Sequence, residues 1–302
     1  MRINRREFVK LCLQSGVALS ALPEIFNALV LARESNPCVI WLQGASCSGC
    51  SVSLLNSVHP KVKEVLLEII SLKFHQNLMA GTGDGAVNLL NKIPEEFNGK
   101  FLLVVEGSIP TAENGLYCSI GEIEGKPETM AGWMKKTAPR AKAVIAAGTC
   151  AAYGGIPAGN PNPTGAIGVS SFFKENGIKT PLINIPGCPS HPDWFIGTLT
   201  HVLLYGVPSL DRNLRPKMFF SNEIHENCPR HSYYAEDEFA KKFGDKGCLY
   251  ELGCKGMVTK ADCYKRLWNN KSNWCIGSGG ICAGCVEPDF LDGVSPIYEK
   301  IG

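Results

Sequence analysis

The sequence predicts an α/β fold, a doubly wound parallel sheet, followed by an irregular segment that needs staples to hold its shape. Three observations predict it. Between residues 38 and 207, short apolar runs alternate with helical patterns. The runs are continuous rather than alternating, as in strands buried on both faces. Beyond Arg212 this periodicity stops, and seven of the fourteen cysteines crowd into what remains.

The elements follow in order. CVIWLQG (38–44) is the first strand; it runs into GASCSGC (44–50) and a helix predicted over 51–68. IISLKFH (69–75) is the second, followed by a helix over 83–92. FLLVVEG (101–107) is the third, ending in Glu106 and Gly107, with a helix over 128–137. AKAVIAAGTC (141–150) is the fourth, with a helix over 166–176, and PLINIPGC (181–188) the fifth, with a helix over 192–205. In an open parallel sheet, ligands gather outside the carboxyl ends of the strands. Cys47, Cys50, Cys150 and Cys188 follow such ends, so the fold should bring them to one edge. A flavodoxin-like domain puts a nucleotide there; this chain offers thiols.

The predicted divisions are 1–36 as an export signal, 37–211 as the sheet domain and 212–302 as the C-terminal segment. At the N-terminus, NRREFVK (4–10) precedes a modest apolar tract, LCLQSGVALSAL (11–22), which Pro23, Glu24 and Asn27 interrupt. The tract is too short and broken to span a bilayer. Arg5 and Arg6 ahead of it read as a twin-arginine signal, against the plainer reading of a basic start to a helix. Cleavage is expected near Ala32–Pro37. That route carries folded proteins, so the thiols would take up metal in the reducing cytoplasm before export. The expected location is the periplasm or the outer face of the cytoplasmic membrane.

Composition excludes several classes. A formal net charge of +2 without a Lys/Arg stripe gives no footprint for nucleic acid. No long apolar run follows the signal, so attachment to a membrane would be through another subunit only. A disulfide framework suits short secreted chains, and 302 residues is not short.

The cysteines fall into three sets. The first is Cys47-x2-Cys50 with Cys150 and Cys188, flanked by Gly44, Gly49, Gly148 and Gly187. Glycine lets backbone N–H groups approach cluster sulfurs, although four thiolates suit zinc as well. The second reads His225-x2-Cys228-x19-Cys248-x5-Cys254. One imidazole among three thiolates serves zinc or an iron–sulfur cluster alike. The third reads Cys263-x11-Cys275-x6-Cys282-x2-Cys285. Four thiolates fill every corner of a 4Fe–4S cluster, and three would leave a corner open.

With the three sets in this order, the chain resembles the small subunit of the nickel–iron hydrogenases. The resemblance is carried by GASCSGCSVSLLNSVHP, VVEGSIPTAENG, AVIAAGTCAAYGGIPA, NPTGAIGV, NIPGCPSHPDWFIGTL, FFSNEIHENCPR, LYELGCKG and NWCIGSGGICAGCVEPDF, which span nearly the whole chain. It implies a flavodoxin-like domain plus an iron–sulfur domain, and three clusters leading from a nickel–iron site on a separate large subunit. Carried over by position, it places a proximal cluster on Cys47, Cys50, Cys150 and Cys188. A distal cluster falls on His225, Cys228, Cys248 and Cys254, and a medial one on Cys263, Cys282 and Cys285. Many members have proline at position 275 and hold 3Fe–4S there. With Cys275 as fourth medial ligand, 4Fe–4S is expected throughout, as in the nickel–iron–selenium subgroup. A four-iron centre has the lower potential and suits low-potential carriers. Oxygen-tolerant members carry extra cysteines where this chain has Gly49 and Gly155, so an ordinary proximal cluster is expected.

The remaining residues invite plainer readings. Cys12 lies in the signal, Cys38 in a strand core and Cys118 in a loop. Glu106 could tune the proximal site, join a proton path, anchor a partner, or simply be a hydrogen-bonded loop carboxylate. His191 should order the loop after Cys188, and His59, His75, His201 and His231 read as packing or surface residues. The expected function is the electron-transfer subunit of a hydrogenase, H2 ⇌ 2H+ + 2e−, inactive alone. Its expected partners are a nickel–iron large subunit, with or without selenium, and a low-potential carrier such as a c-type cytochrome. The rival readings are a stand-alone iron–sulfur electron carrier and a zinc- or disulfide-stabilised secreted protein.

Overall fold

Runs of Val, Ile and Leu leave a strand no wet face. The computed structural model, which describes residues 36–291, places them accordingly. Strands β1 (Cys38–Gln43), β2 (Ser71–His75), β3 (Leu102–Glu106), β4 (Ala143–Ala147) and β5 (Leu182–Ile185) form one parallel sheet in the order β2-β1-β3-β4-β5. All but the edge strand β2 are buried throughout. This is the flavodoxin-like order, with its switch point between β1 and β3. Gln43 pairs with Glu106, Glu106 with Ala147, and Ala147 with Ile185. The strand ends are therefore level, and the loops after them emerge side by side.

Helices cover both faces: α1 (Gly49–Leu55), α2 (Gly83–Glu96), α3 (Met130–Thr137), α4 (Thr149–Tyr153), α5 (Val169–Asn176) and α6 (Pro192–Tyr205). Alternate strand residues divide between two cores. Ile40, Leu42, Leu103, Val105 and Val144 pack with α2, α3 and α5. Val39, Trp41, Leu102, Val104 and Ile145 pack with Leu54 of α1 and Trp194, Phe195 and Leu199 of α6.

The structure corrects several predicted boundaries. The helix expected over 51–68 stops at Leu55; the chain turns, and Val62–Glu64 and Val65–Ile69 form separate helical turns. Pro60 sits in that turn, and without an N–H it cannot continue the ladder. The fourth strand ends at Ala147, not at Cys150, so Cys150 lies in the first turn of α4. A hairpin of Ser119–Ile123 with Lys126–Thr129 precedes α3, in a stretch where helical periodicity alone predicts no strand. Its turn residues Glu124 and Gly125 both have positive φ, the tight hairpin geometry. Thr129 then caps α3, its Oγ1 accepting from the Gly132 N–H at 3.0 Å.

Among the described residues beyond Tyr205 regular structure is scarce, and the longest helical turn is His231–Ala235. Phe219, Phe220, Ile224, Leu249, Trp274, Ile276 and Val286 join the same core as Trp41 and Trp194. The C-terminal segment thus packs on one face of the sheet. Two arginines with buried side chains brace it: Arg215 ties its start to its end, and Arg266 fastens it to α6. Arg215 bonds Asp211 at 2.8 Å and Glu287 at 2.9 Å. Arg266 bonds Asp262 at 2.6 Å and, on α6, Asp193 at 3.0 Å. Residues 1–35 lie outside the described residues, and with them the predicted export signal and Cys12. Among the described residues no helix is long and apolar enough to cross a membrane.

Candidate metal centres

The first set forms where β1, β4 and β5 end. Glu106, at the end of β3, organises it. Its carboxylate accepts from the Cys50 N–H at 3.0 Å, the Ser51 N–H at 3.1 Å, Trp41 Nε1 at 3.0 Å and Gln43 Nε2 at 3.0 Å. The Ser51 hydroxyl also donates to it, and His75 Nε2 meets that hydroxyl at 3.0 Å. The buried carboxylate thus takes up free N–H groups at the start of α1 and fixes Cys50 against the sheet. Of the readings open at the sequence level, the hydrogen-bonded carboxylate describes these contacts. Trp41, Gln43 and Ser51 are the residues that sequence reasoning missed; Gln43 beside Glu106, both polar at buried strand ends, was the available signal.

Cys50 accepts from the Ser190 N–H and Cys150 from the Ile156 N–H. Gly148 has φ +89°, and a Cβ there would collide with Cys50 Sγ. Gly155 has φ +52°, and its Cβ would lie 2.9 Å from the Cys150 backbone. The thiols feel one another. Burial pushes Cys50 well up, with Glu106, Cys150 and Cys188 adding to it. Burial pushes Cys150 up to about 11, with Cys188 and Cys47 adding, and raises Cys188, with Cys47 adding. Thiols packed this closely would stay protonated unless positive charge lay among them. Cys47 and Cys188 are exposed, and next to them α1 shows Val52 at 63% and Leu55 at 40% exposure.

The second set converges fully. His225, Cys228, Cys248 and Cys254 line one cavity, closed by Tyr250, Met257 and Ile276. The Arg230 N–H donates to Cys228 Sγ at 3.4 Å, and the Arg230 guanidinium holds the Asp245 and Gly247 carbonyls at 3.0 and 2.7 Å. The His225 ring lies 4.8 Å from both His231 and Tyr234. Burial, with the His231 charge adding, lowers the His225 pKa and favours the neutral imidazole that metals take.

The third set brings Cys275 to the other three. Burial pushes the Cys263 thiol well up, and Cys285, Cys282, Asp262 and Cys275 all add to it. Burial pushes Cys282 up to about 12 and Cys285 up to about 11; Cys275 acts on Cys285 too. Cys275 is the exposed member. Cys38 is buried in β1 and Cys118 is half-buried, apart from all three sets.

Contacts run between the sets. The Cys188 backbone N–H, of the first, lies close enough to the Cys285 thiol, of the third, to lower its pKa against burial. The Cys282 N–H, of the third, donates to Cys254 Sγ of the second at 3.4 Å. The third set therefore lies between the other two. Among the described residues no three His, Cys, Asp or Glu side chains close on a point that would hold a single ion. A zinc site draws its thiolates to about 2.3 Å from one centre, whereas the donors of a sulfide-bridged cluster stand around a volume. In the second set all four donors stand around one shared cavity rather than closing on a point.

Comparison with known proteins agrees in both halves. Residues 47–202 match the family described as NADH ubiquinone oxidoreductase, 20 Kd subunit. Residues 220–298 match the C-terminal family of the NiFe/NiFeSe hydrogenase small subunit. The chain is 49% identical to the periplasmic NiFeSe hydrogenase small subunit of Desulfomicrobium baculatum, covering 99% of both. It is 41% identical to the periplasmic NiFe hydrogenase small subunit of Solidesulfovibrio fructosivorans, covering 99% of this chain and 93% of the relative. The solved recombinant NiFeSe hydrogenase from Desulfovibrio vulgaris Hildenborough in the oxidized state matches with a TM-score of 0.84 at 51% identity, over 88% of this chain and 98% of that one.

Proposed function

The chain belongs to the small-subunit family of the NiFe and NiFeSe hydrogenases, and from that premise we propose that it is the electron relay of such an enzyme. Its complex would interconvert H2 with protons and electrons at a nickel site on a separate large subunit. Cys47, Cys50, Cys150 and Cys188 would hold the proximal 4Fe–4S cluster. Cys263, Cys275, Cys282 and Cys285 would hold the medial one, and His225, Cys228, Cys248 and Cys254 the distal one. When bound, these clusters store and pass single electrons. The chain's own residues fix the donors, exclude water and set the order of the stations. The working domains are 37–211 and 212–302, after an export signal over 1–36. A periplasmic location follows the named location of the relatives.

The observation that supports this reading is the pair of contacts between sets, Cys188 with Cys285 and Cys282 with Cys254, by which the third set touches both of the others. The large subunit would cover the edge where Cys47, Cys188, Val52 and Leu55 are exposed. This exposed apolar rim weighs against a stand-alone carrier. At the other end, the half-buried His225 would face a low-potential carrier such as a c-type cytochrome.

Purification of the native complex tests the proposal. The expected result is a nickel-bearing heterodimer with on the order of twelve iron atoms, and as much sulfide, in this chain. A colourless monomer, or a brown one with no nickel partner, would overturn it.

A further inference from the structure

One buried side chain outside the ligand sets touches both the proximal and the medial cage. Thr149 opens α4 and is 1% exposed. Its N–H donates to the Gly187 carbonyl at 3.0 Å, and its Oγ1 accepts from the Gly187 N–H at 2.8 Å. A hydroxyl has a single proton to donate. Thr149 gives it to the Cys285 carbonyl, across 136 positions of sequence. Cys150 is the next residue after Thr149, and Cys188 the next after Gly187. The hydroxyl is therefore one bond network away from two proximal ligands and one medial ligand.

We propose that Thr149 is the positioning residue that sets the separation and electronic contact between the proximal and medial cages. The inference rests on the ligand assignment above. Three facts point to it. The hydroxyl donates across the junction to Cys285 and accepts from Gly187 beside Cys188, with neither bond inside its own helix. The Cys188 N–H lies against the Cys285 thiol beside it, so the hydroxyl and this contact sit at the same seam between the two sets. And without the hydroxyl, the buried Gly187 N–H and Cys285 carbonyl would each lose a partner, which favours local rearrangement. The step served is transfer of one electron between cages; no bond forms or breaks and no proton moves. Tunnelling falls steeply with distance, so a small loosening here has a large kinetic effect.

The test uses the intact heterodimer. Thr149→Val keeps the shape and removes the hydroxyl; Thr149→Ser keeps the hydroxyl. With iron and sulfide at wild-type levels, the valine variant should show a weaker EPR interaction between the reduced proximal and medial clusters. Its medial cluster should also be reduced several-fold more slowly after mixing with H2, by rapid-freeze sampling. The serine variant should match wild type in both. If the valine variant does not fold, Thr149→Ala gives the same readouts without the extra methyls. An unchanged interaction and rate in a fully loaded hydroxyl-free variant overturns the proposal. Failure of the ligand assignment shows separately, as missing iron or missing cluster interaction in the unsubstituted enzyme.

Discussion

Cys47, Cys50, Cys150 and Cys188 follow the ends of β1, β4 and β5, while the other eight donors lie in loops or at the starts of helical turns of three to five residues. The contrast concerns which part organises which. At the proximal edge, ladder bonds, the Glu106 network and two cores fix the donors whether or not metal is present. In the C-terminal segment few backbone bonds repeat, so ordering entropy must be offset by metal–ligand bonds and by docking on the sheet. One region holds its metal, and the other is held by it.

Removing the metal should separate the two regions most strongly. In apo-protein prepared by chelation, residues 220–291 should lose amide exchange protection throughout, while β1, β3 and β4 keep theirs. Uniform loss, or uniform retention, would erase the distinction. Metal binding contributes folding energy outright where no preformed site exists.

The next effect comes from the arginines that brace the C-terminal segment. Arg215→Met and Arg266→Met each take the partner from part-buried carboxylates, Asp211 and Glu287 in the first case and Asp193 and Asp262 in the second. Breaking one side of a fully buried pair costs about 3–5 kcal/mol, so these part-buried pairs should cost up to about 3 kcal/mol. The exposed pair Lys136–Glu128 should cost at most about 1 kcal/mol on Lys136→Met. Denaturant midpoints followed by visible absorbance would rank them. Equal shifts for all three would mean that docking contributes little to the C-terminal cages.

Two glycines sharpen the comparison at smaller scale. Gly148 and Gly279 have φ +89° and +84°, so alanine strains both by about 1–2 kcal/mol. At Gly148 the new Cβ would also collide with Cys50 Sγ, whereas at Gly279 its nearest neighbour is 3.9 Å away. Gly148→Ala should therefore lose proximal iron, and Gly279→Ala should keep its full iron content. Iron analysis of the two purified variants decides.

The same contrast explains what the sequence made legible. The five strands, the helix over 192–205 and the shared edge followed from Val/Ile/Leu runs and the strand-end rule, because period and burial are local signals. The hairpin at Glu124–Gly125 and the break at Pro60 were turn chemistry inside segments read for periodicity alone. The Glu106 network joins residues 41, 43, 51 and 106, and the Thr149 junction joins 149, 187 and 285; no window of sequence contains either. In the C-terminal segment, cysteine spacing outlined the sets, but the placement of the third between the other two is a property of packing.

The finest distinction lies within one cage. Cys263, Cys282 and Cys285 are half-buried or buried, and each is tied to neighbouring backbone or to another set, whereas Cys275 is exposed at the rim. The Cys275 carbonyl is held by the Gly280 N–H at 2.9 Å, a bond that a change of side chain leaves intact. Cys275→Pro and Cys275→Ala should therefore still fold and dock. Each should lose one iron per chain, keep the three remaining ligands' cluster as the C-terminal staple, and gain the EPR signal of an oxidised 3Fe–4S centre. The medial potential should rise, because three-iron centres lie above four-iron ones, and H2 evolution with a low-potential donor should slow relative to uptake. A wild-type chain that already shows the three-iron signal would remove Cys275 from the cage and leave the rest of the line standing.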